Sequence, residues 1–122
     1  MINKKNLNYY HFFLNPHAQI LFEEYKKSKI NKMWATSVIL SLTIIDNILS
    51  DEQNLENVNG LDLNELQKSK DLIWLRLRRN KILHYEGPVE GFYKSLDSFN
   101  VLKLDAEKAD KVLHKCLSKL FI

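Results

Sequence analysis

Trp34-Ala35-Thr36-Ser37-Val38-Ile39-Leu40-Ser41-Leu42-Thr43-Ile44-Ile45-Asp46-Asn47-Ile48-Leu49 is the stretch on which the fold turns. Ala35, Val38, Leu42, Ile45 and Leu49 recur at helical spacing, and Ile44 and Ile48 widen that stripe. A helix that is apolar over most of its circumference must be surrounded by other helices. The one expected from about Asn31 to Leu49 is therefore the centre of the fold. It does not read as a membrane span. Thr36, Ser37, Ser41, Thr43, Asp46 and Asn47 interrupt the apolar run from Met33 to Leu49, whereas a span asks for roughly 18 unbroken apolar residues.

Working outward, Asn15-Pro16 predicts a helix start, because Asn is a good N-cap and Pro suits the first helical position. Ile20, Leu21 and Tyr25 are its expected inner residues, with Glu23, Glu24, Lys26 and Lys27 facing water. The aromatic residues 5–14 form an expected short leading helix. Ser50 to Gly60 is polar and reads as a surface loop. A third helix is expected from near Asp62 to about His84, with Leu66, Ile73 and Leu77 as its stripe, extended by Asn80 and His84. Glu86-Gly87-Pro88 stops it, since Gly lets the chain turn and Pro bars further helix. A last helix is expected to begin at Asp105 as N-cap, with Glu107 in its first turn and Ala109, Val112, Leu113, Cys116, Leu117 and Leu120 facing inward. With 3 Gly and 2 Pro in 122 residues, and no strand hairpin in the pattern, the reading is all-α. It is a four- to five-helix up-and-down bundle filling one domain, residues 1–122.

Apolar residues make up 45% of the chain and charged ones 27%, enough to build a core and too apolar for disorder. The single Cys, Cys116, can form neither an internal disulfide nor a Cys-based zinc site alone. No secretory leader pattern follows Met1, so the expectation is a soluble, cytoplasmic protein without a membrane partner. The net charge of +3 is mild, and compatible with a nucleic-acid partner without being evidence for one. The cations are unevenly typed. Lys is spread along the chain, while the only Arg residues are Arg76, Arg78 and Arg79.

Those Arg residues open the segment Arg76-Leu77-Arg78-Arg79-Asn80-Lys81-Ile82-Leu83-His84-Tyr85-Glu86-Gly87. Within it, Arg79-Asn80-Lys81-Ile82-Leu83-His84 resembles the Arg-Asn-x-x-x-His motif of the HEPN superfamily, the higher eukaryotes and prokaryotes nucleotide-binding domains. In that family the motif closes the third helix of a small all-α bundle, which is where it falls here. The resemblance implies a HEPN-like fold and a metal-independent endoribonuclease acting as a toxin or anti-phage effector on tRNA, rRNA or mRNA. It implies no cofactor and no metal, and it leaves room for a cognate antitoxin or a sensor protein. Residue by residue, it implies Arg79 on the scissile phosphate, His84 as general acid/base, and Asn80 orienting one or the other. The alternative carried beside it is a non-catalytic HEPN-like module that binds a nucleotide or a partner protein.

The chemistry of these residue types agrees with that implication. A guanidinium grips two phosphate oxygens with a rigid fork of donors, and an imidazole exchanges protons near neutrality. Together they suffice to promote 2′-OH attack on the adjacent phosphate and to stabilise the charge that develops there. Helical geometry sets a constraint. At 100° per residue, Arg79 and His84 lie about 140° apart, whereas Asn80 and His84 share a face. The family meets this constraint with a homodimer, in which motif-bearing helices from two subunits pool their Arg and His. The same arrangement is the expectation here.

Other readings stand beside these. Arg79 and His84 also suit the negative end of a helix as plain cations, and Asn80 suits a last turn bonding backbone. Arg76 shares a face with Arg79 and either adds phosphate attraction or is an ordinary surface charge. Arg78 points elsewhere and is expected to be solvated. Asp46 is either a buried carboxylate paired with Arg79 or Arg76, or part of a solvated helix end with Asn47 and Ser50. Tyr85 is adjacent to the motif. A branch of the family carries Arg-x-x-x-x-His-x-Tyr, whose Tyr accepts AMP from a partner nucleotidyltransferase. Here Glu86 occupies that place, so Tyr85 reads as a core or interface aromatic. His11, His17 and His114 lack metal-ligand spacing. Lys26, Lys27, Lys29 and Lys32 read as a solvated face in preference to the rim of an RNA groove, and Trp34 and Trp74 as packing in preference to base-stacking residues.

Overall fold

Asn15 and Pro16 open the first helix as their chemistry demands. In the computed structural model, which describes residues 14–51, 57–58, 61–84 and 98–120, α1 spans Pro16–Ile30. The Asn15 side chain accepts a hydrogen bond from the Ala18 N–H at 2.8 Å, satisfying one of the free donors of the first turn. Its amide nitrogen donates to Asn47 and Asp51, at 3.1 and 3.2 Å, tying the start of α1 to the end of α2, Trp34–Asp51. The buried face of α1 is Ala18, Phe22, Tyr25 and Ser28. Of the expected inner residues Tyr25 is buried and Leu21 packs partly buried against the core, and Ile20 departs from the expectation. Ile20 is exposed. Spacing of four and three residues from Ala18 keeps one face inward, and Ile20 falls on the other side of the helix.

The turn from α1 to α2 closes with a helix-ending motif. The N–H of Met33 donates to Ser28 O at 2.8 Å and that of Lys32 to Lys29 O at 3.1 Å, with Lys32 in the left-handed region at φ 56°. Beneath it, the buried Ser28 and Ser37 hydroxyls meet at 2.8 Å, so α1 and α2 are joined at both ends and run in opposite directions.

α2 is the central helix, as its composition predicts. It packs against α1, α4 (Lys70–His84) and α5 (Ser98–Leu120). Val38, Leu42, Ile44, Ile45, Ile48 and Leu49 are all buried. Each such side chain contributes about 1.5–3 kcal/mol of transfer free energy.

The third expected helix is two helices. A short α3, Leu63–Gln67, is followed by a turn at Lys68–Ser69 and then by α4. Ser69 interrupts it: its hydroxyl accepts the Leu72 N–H at 3.3 Å, and Asp71 sits in the first turn of α4, two features that start a helix anew. Ahead of α3, β1 (Asn57–Val58) pairs antiparallel with β2 (Leu61–Asp62). The last helix begins about two turns before Asp105, at Ser98. Asp105 is therefore no N-cap but a buried residue inside α5. The expected inner residues Ala109, Val112, Leu113, Cys116, Leu117 and Leu120 are buried.

The described chain is thus all-helical apart from one two-residue strand pair, with five helices among the described residues. The leading aromatic segment, most of the Ser50–Gly60 loop, and Tyr85 with Glu86-Gly87-Pro88 lie outside them. Among the described residues no helix is long and apolar enough to cross a membrane.

Candidate functional site

α4 buries little apolar surface. Leu72 and Leu75 are its buried leucines. Of the expected stripe, Leu66 is buried, in α3, whereas Ile73 and Leu77 face outward, at 47% and 56% exposed. Leu72 and Leu75 take the inner face, and the arginines that flank it reach the neighbouring helices on either side.

On the α2 side stands Asp46. Arg76 grips it with both terminal nitrogens, at 2.8 and 3.2 Å, in the fork geometry that makes such pairs directional. Nη1 of Arg79 lies 3.6 Å from the same carboxylate. Arg79 also donates from Nε and Nη2 to Oδ1 of Asn80, at 3.3 and 3.1 Å. Asp46, Arg76, Arg79 and Asn80 therefore form one network. Of the two readings of Asp46, the pairing with arginine is found, with both Arg76 and Arg79, but the carboxylate is 34% exposed rather than buried. A single carboxylate facing two guanidinium groups leaves the cluster with an excess positive charge. With Arg79 24% and Arg76 33% exposed, a solvent anion can reach them. Because Oδ1 of Asn80 accepts from Arg79, the other arm of its amide is a donor.

His84 ends α4 and is exposed. It lies one turn beyond Asn80 and, by helical geometry, about 140° round the axis from Arg79. Among the described residues the structure gathers Arg76, Asp46, Arg79 and Asn80 into one cluster, and His84 stands on the solvent face next to it.

No family model, curated protein or solved structure matches this chain. The site therefore rests on its own geometry.

On the α5 side the structure corrects the reading of Arg78. It is not a solvated bystander. Its side chain is 15% exposed, and Nε lies 3.2 Å from the Asp105 carboxylate, itself 10% exposed. The signal for this pair was in the sequence, since Asp105, Ala109, Val112 and Cys116 share one helical face. A carboxylate on a core face needs a cation. Asp71 and Lys115 pair at 3.2 Å further along, which sets α4 and α5 antiparallel.

Two further groupings have no motif behind them. Asp110 accepts from the Tyr25 hydroxyl at 2.6 Å and from Lys29 at 2.8 Å. Burial and that carboxylate push the Tyr25 phenol far above its usual range. Lys29 also stands over the Tyr25 ring, and Lys26 pairs with Glu23 and stands over Phe22. These lysines are thus engaged within the fold rather than merely solvated. Trp74 packs partly against the core, as expected, while Lys108 lies 4.1 Å from its ring centroid and Arg78 5.8 Å. Among the described residues no group of three or more His, Cys, Asp or Glu is placed to hold a metal ion.

Proposed function

We propose that this chain is a HEPN-type, metal-independent endoribonuclease that works as a homodimer, in the role of a toxin or anti-phage effector. The observation that carries this reading is the Asp46-held pair of guanidinium groups beside Asn80. They sit partly exposed on the helix that ends in His84. In this mechanism Arg79 holds the scissile phosphate, and His84 takes the proton of the adjacent 2′-hydroxyl. The 2′-oxygen forms a bond to phosphorus, and the bond to the 5′-oxygen breaks. The products are a 2′,3′-cyclic phosphate and a 5′-hydroxyl, the latter protonated by His84 of the partner subunit or by water. Arg79 stabilises the charge on the five-coordinate phosphorus. Asn80 holds the Arg79 fork, and Asp46 and Arg76 position it.

The outward face of α4 supports the dimer. Ile73, Leu77 and Leu83 are 47%, 56% and 53% exposed, on the helix that carries Asn80 and His84. A second copy laid against this face would cover Ile73 and Leu77 and bring the Asn80 and His84 ends of the two α4 helices together. The test is cleavage of total tRNA in EDTA by wild type, Arg79→Ala and His84→Ala. Wild type is expected to cut, and each variant to lose about a hundredfold or more. Equal activity in all three removes these residues from the site.

One observation favours a second reading, a HEPN-like module that binds a nucleotide or partner without cleaving. Within one chain the guanidinium cluster is assembled and His84 stands apart from it. Expression without toxicity, together with a stable hetero-complex, supports this reading. Toxicity relieved by His84→Ala supports the nuclease.

A further inference from the structure

The face of α5 that meets α4 carries a second cationic feature, separate from the Arg79 cluster. Lys108, Lys111 and Lys115 are all exposed and recur at helical spacing along one ridge. Leu104, one turn earlier on the same ridge, is 65% exposed. Across the seam, α4 contributes Trp74, Leu77, Arg78 and Lys81, which line a shallow pocket of about 160 Å³. The ridge and pocket meet at Trp74, where Lys108 covers the indole face. On the far side of the ridge, Lys111 and Trp34 line a second cavity of about 280 Å³. Glu107 and Asp110 line that second cavity beside Lys111. Once Asp105 is set against Arg78, Asp71 against Lys115 and Asp110 against Lys29, Glu107 stands against Lys81, Lys108 and Lys111.

We infer that the α4–α5 groove is a binding site for single-stranded RNA. Trp74 is the stacking platform, and Lys81, Lys108 and Lys111 hold the phosphates. An indole flanked by lysines suits a base better than it suits a purely anionic surface. The flat ring offers stacking to any base, and an ammonium lying on that ring can swing off to a phosphate when a base replaces it. A duplex hides its bases, so this arrangement favours an unpaired strand. Lys81 lies three residues before His84 on the same helix, so a strand seated here leads toward the exposed end of α4. The inference rests on the nuclease reading only for the choice of RNA over other single strands.

The test uses the full wild-type chain and a labelled 2′-O-methyl oligouridine of about ten nucleotides, within the span a small single-strand site covers. The strand lacks the attacking hydroxyl and cannot be cut. Anisotropy is followed across a salt series. Wild type is expected to bind, with a log–log salt slope that falls in magnitude by about 2 when Lys81, Lys108 and Lys111 are all changed to Gln. Affinity is expected to drop at least about tenfold in that variant, and about tenfold in Trp74→Leu, with Trp74→Phe restoring most of it. If Trp74→Leu fails to fold, the surface lysines and Trp74→Phe carry the test. Binding within about twofold of wild type in the triple lysine variant overturns the inference. So does a groove that holds anionic phosphatidylserine vesicles through the same lysines but not the oligonucleotide. Oligonucleotide binding by a chain that leaves natural RNA uncut refutes the nuclease and keeps the groove. Cutting that does not depend on the lysines does the reverse.

Discussion

Asp105 and Arg78 show how much depends on a single assignment at the scale of the residue. An Asp at the start of an apolar periodic run is a strong cap signal, and here it misleads, because the helix begins upstream and buries it. Breaking this pair strands one charge in a setting where both partners are 15% exposed or less. Asp105→Ala is therefore expected to cost about 3 kcal/mol. The double change Arg78→Met with Asp105→Leu should recover most of that, since two apolar groups need no desolvated partner. Urea unfolding of the three proteins checks it. An equal loss in the single and double variants would mean that the stranded charge is not the cause. By contrast, Asp46 was legible beforehand as a carboxylate on an apolar helix. Which arginine would hold it was not, because the answer depends on how α4 is rotated against α2. That rotation also decided which expected site residues came together. Arg76, Arg79 and Asn80 did, and His84 lies outside that network.

At the scale of the element, periodicity located the helices better than it assigned their faces. α2 and the inner face of α5 follow their stripes because nearly every apolar residue there has a neighbour to meet. α4 does not follow, because Leu72 and Leu75 take its inner face and leave Ile73 and Leu77 outside, while Arg76 and Arg78 flank that face and tether it to α2 and α5. Turns were the least legible, since their signals are short and lack glycine. The α1–α2 turn is one. Lys32 takes φ 56° there, a conformation that crowds a β-carbon and is natural to glycine. Lys32→Gly is expected to raise stability by about 1 kcal/mol, read as a higher melting temperature. A fall instead would mean that the lysine side chain contributes more than the backbone strain removes.

For the molecule as a whole, pH acts through two protons held inside. Burial pushes the Cys116 thiol from 9.0 up to about 11, and the Tyr25 phenol sits far above its ordinary 10.0. Below about pH 9 both groups keep their protons, folded or unfolded. Above it the unfolded chain releases protons that the native chain retains, so native stability falls as pH rises. The Cys116 share is lost between pH 9.0 and about 11, and the Tyr25 share continues beyond. Urea midpoints measured from about pH 8 to about pH 11 should decline, and Cys116→Ala should flatten the first part of the decline. A midpoint that holds steady to pH 11 would remove both groups from the balance. The same whole-molecule view gives the arginines of α4 a mechanical meaning. Arg76 pulls toward α2 and Arg78 toward α5, from points about 160° apart on one cylinder. Rolling the helix either way stretches one tether, so α4 behaves as a torsion balance. At its rest position Ile73, Leu77 and His84 point away from the protein, toward whatever arrives from outside.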